Sequence, residues 1–241
     1  MIGALRAEWG RTWSIRSPWF CLAGAVLTVV GIAGTLANDF VHGLGTGEHG
    51  TADTMAASDA AGPAVQFGLV VFAAFAMITI TSEYATAGIL ATFQAEPRRV
   101  LVLAAKAAVA AGVGLPAGAL AGCLATALAH LTLGGHAAPA SEVAAVTGLR
   151  AGALFAVSAV LVVALGALIR SAVGTLAVAV VLLVGTLALP SVAAWTPAGA
   201  VAEFLGAGQG TYPPIAGLLV VAAWAAALFA GASWALTRRD A

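Results

Sequence analysis

Charge is what this sequence has least of. Ten lysines and arginines and ten acids make up 8% of 241 residues, against roughly 25% in a soluble domain. So few charges cannot cover a water-facing surface, which excludes an ordinary soluble globule and makes lipid the main solvent. The formal net charge is zero, so the basic stripe that a nucleic-acid partner requires is missing as well. Cysteine is nearly as scarce. Cys21 and Cys123 both stand in apolar runs; two thiols are too few for a disulfide framework or a metal centre and read as small apolar residues. Lysine occurs once, as Lys106 in AAKAA, so there is no glycine-rich phosphate loop with its lysine and no site for ATP within the chain.

What the chain has instead is long apolar runs. It is 61% hydrophobic, with a mean hydropathy of +1.02. Alanine, glycine and valine dominate, which suits helices that approach closely in a bilayer. A transmembrane helix needs about 20 such residues, and six runs reach that length: about 18–37, 63–82, 107–131, 147–169, 171–189 and 215–236. The fold expected is all-α: a polytopic membrane protein with six transmembrane helices. Six is favoured over four because each run is long enough alone. Pro116 marks a kink in the third run, Arg170-Ser171 a tight turn, and Pro190 the close of the fifth run. The segment 191–214, with Trp195, Pro197, Glu203 and Tyr212-Pro213-Pro214, is irregular.

Before the first run, Ile2, Leu5, Trp9 and Trp13 fall three or four residues apart. Arg6, Glu8 and Arg11 face elsewhere. Residues 1–17 therefore read as an amphipathic helix lying in the interface, with its tryptophans at headgroup depth. The basic n-region resembles a signal peptide, but the following run is long enough to span. Lysine and arginine placement sets the orientation. With the N-terminus inside, Arg6, Arg11, Arg16, Arg98, Arg99, Lys106, Arg170, Arg238 and Arg239 are cytoplasmic and only Arg150 is external, so both ends are expected in the cytoplasm.

None of the runs carries an acid, lysine or arginine near its middle. Glu83, Lys106, Arg150 and Arg170 lie at or near run ends, where long side chains can snorkel. This argues against a coupled ion or proton transporter, which keeps ionisable groups at membrane depth. No acid or histidine stands opposite Ser158 or Ser233 to make a hydrolase, so no catalytic residue is expected. His130, near the outer end of the third run, reads as a packed or interfacial residue. Asp39, His42, Glu48, His49 and Asp53 fit no ordered metal spacing and read as a solvated loop from Asn38 to Gly62. Gly114, Gly118 and Gly122 form a small-xxx-small face for helix packing, within or between chains.

The interruption between the second and third runs, residues 83–106, holds the remaining chemistry. It reads Glu83-Tyr84-Ala85-Thr86-Ala87-Gly88-Ile89, then Leu90 to Phe93, then Pro97-Arg98-Arg99 and Ala105-Lys106. With the amphipathic N-terminal helix and the tail LTRRDA, this order resembles the membrane subunit of the ABC type-2 transporter permeases. The tail is similar to those of many actinobacterial members. Ala85-Thr86-Ala87 departs from the family, many members of which carry a basic or polar residue there. The resemblance covers essentially the whole chain and rests on loose motifs taken in order. It implies an exporter-like permease subunit in a bacterial cell membrane, in contact with lipid and paired with a second permease subunit, identical or similar. Two separate ATP-binding subunits would carry the ATP and Mg; this chain would hold no cofactor of its own. It also implies a docking site for those subunits at Glu83, Tyr84, Gly88, Ile89, Leu90, Phe93, Pro97, Arg98 and Arg99. An apolar helix face with a charged rim suits docking in a partner's groove. The competing reading is a membrane-anchored immunity or regulatory protein that binds a hydrophobic peptide or drug without transporting it.

Overall fold

The computed structural model describes residues 2–14, 16–46, 53–85, 98–138 and 144–238. Among them the chain is mostly helical, with one isolated bridge, Met55 to Ala137, in place of any strand. A short helix, α1 (Ile2–Trp13), precedes the long helices α2 (Ser17–Thr46), α3 (Ala57–Ala85), α4 (Arg99–Leu133) and α5 (Ala144–Ile169). Then come α6 (Ala172–Leu183), a 3-10 turn at Gly185–Ala188, the short α7 (Pro190–Ala193) and α8 (Pro197–Phe204), and finally α9 (Pro214–Arg238). Five helices, α2, α3, α4, α5 and α9, are each long and apolar enough to cross a membrane. This is an all-α, multi-pass membrane protein.

The helices overrun the apolar runs that mark them. α2 continues through Asn38 and Asp39 to Thr46, and α3 already begins at Ala57, so much of the expected loop 38–62 is helical. α4 begins at Arg99, which puts Lys106 two turns inside a helix. Hydropathy reports where lipid contact ends. A helix, once nucleated, adds a backbone hydrogen bond with each further residue and stops only at a breaker. Pro116 does not interrupt α4.

Where α4 meets α5, glycines remove the side chains that would hold the backbones apart. A Cβ on Gly118 would lie 2.6 Å from the Ala151 carbonyl oxygen, and one on Gly122 would lie 3.0 Å from Gly148 Cα. From the other side, Gly152 faces the Leu115 carbonyl at 2.7 Å. The small-residue face of α4 thus makes its contact within the chain. Beside this seam the buried rings of Phe72 and Phe155 stack with centroids 4.7 Å apart.

The helix expected over 171–189 is broken. α6 has twelve residues, about 18 Å at 1.5 Å per residue, short of the roughly 30 Å hydrocarbon core. Pro190 is the cause. It has no N–H to donate, its ring would strike the carbonyl four residues back, and it pushes Leu189 out of the helical region; Leu189 sits at φ −115°, ψ 77°. The chain tightens into the 3-10 turn and restarts with Pro190 in the first turn of α7.

A broken helix end within a bilayer is tolerated only where protein covers it and satisfies its carbonyls. Here Gln66, buried on α3, donates from Nε2 to Leu183 O (3.1 Å) and Ala198 O (2.9 Å). The Thr186 hydroxyl donates to Thr196 Oγ1 at 2.8 Å, and every residue of α8 is buried. Gln66→Leu should therefore cost about 1–3 kcal/mol, because two buried carbonyls lose their donor. Thermal unfolding in detergent micelles reads this loss directly; an unchanged midpoint would mean that Gln66 does not hold the break.

The break also bears on the number of crossings. Arg99, at the start of α4, donates to Leu236 O near the end of α9 (3.1 Å), and α1 is bonded to α4 two turns from the same end. Four passages through α2 to α5 return the chain to that basic end, and α9 finishes there too. Residues 172–213 therefore carry the chain back to the far end, where α9 begins, so the fifth of six passages is composite: α6, the 3-10 turn, α7 and α8 in place of one helix.

Candidate functional site

Among the described residues, buried charge concentrates at the basic end, between α1, α3 and α4. In α1 the residues buried against the bundle are Glu8 and Thr12, while Ile2 and Trp9 are exposed. Glu8 and Thr12 thus meet protein, Ile2 and Trp9 face outward, and Leu5 and Trp13 are half-buried, Trp13 against the core. The reason is a partner that the local pattern does not show. Lys106 on α4 is 1% exposed. Its Nζ donates to Glu8 Oε2 at 2.7 Å, to the Glu83 carboxylate, and to Thr79 O at 3.2 Å. Arg11 donates to Glu8 Oε1 at 3.1 Å and also to Glu83 Oε1. Neither Lys106 nor Glu83 reaches toward water from a helix end, as snorkelling would require. Both are spent inside the protein.

The set is electroneutral, two carboxylates against two cations, and all three donors of the Lys106 ammonium are used. Those are the conditions under which buried charge is tolerated; with one member missing, the others become uncompensated. Arg11, with 47% of its side chain exposed, closes the set on its outer side. Aromatic rings continue the attachment of α1. Trp13 packs against Trp9 (centroids 5.6 Å apart) and against Trp19 at the start of α2 (4.5 Å).

Further joints of the same end are built around it. The chain reverses between α5 and α6 at Arg170, a non-glycine residue with φ 57°, and its guanidinium lies 5.3 Å from the centre of the Tyr84 ring. Ser171 caps α6 by accepting from Gly174 N at 3.4 Å. Of the residues expected to dock a partner, Glu83 and Tyr84 form the end of α3 and turn inward, and Arg99 is tied to α9. Glu83 is buried, 7% exposed. Arg98 is exposed at the start of α4. Gly88, Ile89, Leu90, Phe93 and Pro97 lie outside the described residues. The structure adds Glu8, Arg11 and Lys106 to the site. The signal for them was the single lysine of the chain beside an apolar run, because such a cation must find an acid.

A second polar arrangement occupies the opposite end. Glu203, 5% exposed, accepts from the backbone N–H groups of Gly210 and Thr211, each at 3.1 Å. A Cβ on Gly208 would strike this carboxyl at 2.3 Å, and Gly206 and Gly210 take the left-handed conformations (φ 80° and 70°) that wrap the loop around it. Tyr212 donates to Ala194 O at 2.5 Å, and Trp224 Nε1 to Trp195 O at 2.9 Å. Burial, and then the Glu203 charge, push the Tyr212 phenol above its ordinary value. A cavity of about 370 Å³ adjoins Glu203, Leu187, Gly199 and Gln209.

The other candidates stay apart. The hydroxyls of Ser158 and Ser233 are buried without a hydrogen-bond partner among the described residues. Cys21 and Cys123 are free thiols, near opposite ends of their helices. His130 is exposed. Asp39 and His42 ride on the last turns of α2, Asp53 precedes α3, and Glu48 and His49 lie outside the described residues. Among the described residues no three metal-ligating side chains gather.

Compared with protein-family models, curated proteins and solved structures, the chain matches none. The fold and the charge cluster define its class: a multi-pass helical membrane protein whose interfacial helix is ion-paired to the end of its bundle.

Proposed function

We propose that this chain is the permease subunit of an ATP-driven, exporter-like transporter. It would pair with a second permease subunit and be moved by separate ATP-binding subunits. The observation that carries this reading is the Glu8–Lys106–Glu83–Arg11 cluster. It joins the interfacial helix, the end of α3 and the start of α4 at the two points where the chain departs to and returns from residues 86–97. A force applied to that segment would move three elements together. The bundle offers no ionisable group in the middle of a long helix to couple transport to an ion, so energy would enter from a partner. ATP and Mg belong to that partner. The apolar interior suits an amphipathic or lipid-like substrate such as a drug or peptide.

The test is co-purification with a nucleotide-binding subunit encoded beside this chain, followed by ATPase measurement. Arg98→Ala should weaken assembly. Glu83→Ala, which leaves Lys106 and Arg11 with a single acid, should lower both stability and the coupling of ATPase activity to transport. If both variants assemble and couple like the parent, or if no ATPase subunit co-purifies, the proposal fails.

A further inference from the structure

α1 does not lie flush against α4. Between them opens a groove of about 390 Å³, lined by Leu5, Arg6, Trp9, Ala108, Val109 and Gly112. Its walls are apolar except for one charge, the exposed Arg6. Gly112 is its floor, and an added Cβ there would meet nothing within 4 Å. The groove runs from the interfacial helix to residues nine to thirteen positions along α4, about 14–20 Å from Arg99 at 1.5 Å per residue. It therefore begins at headgroup level and ends among acyl chains.

We infer that this groove seats an anionic phospholipid, with its phosphate on the Arg6 guanidinium and one acyl chain laid along Val109 and Gly112. Charge selects the headgroup. The only acid of α1, Glu8, is turned away and held by Lys106 and Arg11, so the charge that α1 offers to the groove is that of Arg6. The apolar walls select a lipid over a free anion, because inorganic phosphate would leave Leu5, Val109 and the Gly112 floor uncovered. Trp9, 51% exposed, stands at the rim, where an indole favours the boundary between headgroup and chain. The inference rests on the membrane placement of the fold and is independent of any transport activity.

The experiment uses the full chain in detergent micelles with equimolar phosphatidylglycerol and phosphatidylcholine of the same chain length, with bound lipid counted by native mass spectrometry. The parent should retain phosphatidylglycerol by roughly fivefold over phosphatidylcholine, the preference expected of one basic side chain near an anionic headgroup. Arg6→Gln should bring that ratio to about one while lipid is still retained. Gly112→Leu, which fills open space, should reduce retention of both lipids. Equal retention by the parent, a preference unchanged in both variants, or displacement of the lipid by inorganic phosphate would each overturn the inference. Arg6 is exposed and makes no ion pair among the described residues, so Arg6→Gln keeps the test decisive even if Gly112→Leu folds poorly.

Discussion

Lys106→Met should destabilise the protein by about 3–5 kcal/mol, the loss typical of a buried ion network deprived of one member. Glu8 and Glu83 would be left together, with only the half-exposed Arg11 to balance both, and water cannot reach them as it reaches surface carboxylates. Methionine fills much of the volume, so the loss reports charge more than a cavity. The sharper measurement is a double-mutant cycle. Lys106→Met with Glu83→Gln restores neutrality, leaving Glu8 against Arg11. Its cost should fall below the sum of the two single losses by about 1–3 kcal/mol, the coupling expected of residues that share a network. Thermal or denaturant unfolding in micelles gives these values. Limited proteolysis near Trp13 adds a second readout, because α1 should detach in Lys106→Met before the bundle unfolds. Additive losses, or a Lys106→Met cost under about 1 kcal/mol, would mean that the four charges do not act as a unit. Lys106→Arg should not rescue stability: a planar guanidinium is too large for a site shaped around a compact ammonium.

The second large effect is expected along the seam between α4 and α5. Gly118→Ala adds one methyl group, which would sit 2.6 Å from the Ala151 carbonyl oxygen and 2.7 Å from Phe155 Cγ. Backbone oxygen cannot rotate aside, and Phe155 is fully buried, so the two helices must separate. Overpacking of this kind costs about 1–3 kcal/mol. Gly112→Ala on the same helix supplies the contrast. Its methyl group meets open space, and alanine is the better helix former by about 1 kcal/mol, so this variant should be neutral or more stable. Midpoints of the two variants, compared in one detergent, separate helix contact from helix propensity. Equal midpoints would leave the close approach of α4 and α5 without energetic weight.

The parts of this fold that lipid dictates were legible in the sequence. A bilayer demands apolar length, and the runs behind α2, α3, α4, α5 and α9 supply it. The glycine spacing of α4 announced close packing for the same reason. What depends on distant partners was not legible. The end of α6 survives because Gln66, 117 positions earlier, meets Leu183 O, and nothing within 171–189 announces that support. Lys106 and Glu8 are 98 positions apart, so reading each charge in its own neighbourhood suggested a side chain reaching for water. Which side of α1 meets the bundle was not legible for a related reason. An amphipathic pattern separates apolar from polar positions, but where one side is lipid and the other is protein carrying a buried cation, it does not say which side is which.

The composite fifth passage bears on how the molecule is assembled. A helix of twelve residues is too short to settle into lipid by itself while the chain is being made, and its unfinished carbonyls have no donor until α3 is beside it. Residues 172–213 must therefore wait for a completed four-helix frame, and α9 has to arrive soon enough to cover α8. The fold thus calls for insertion in order from the N-terminus, with α6 to α8 held in the bilayer by α3 and α9 and not by apolar length of their own.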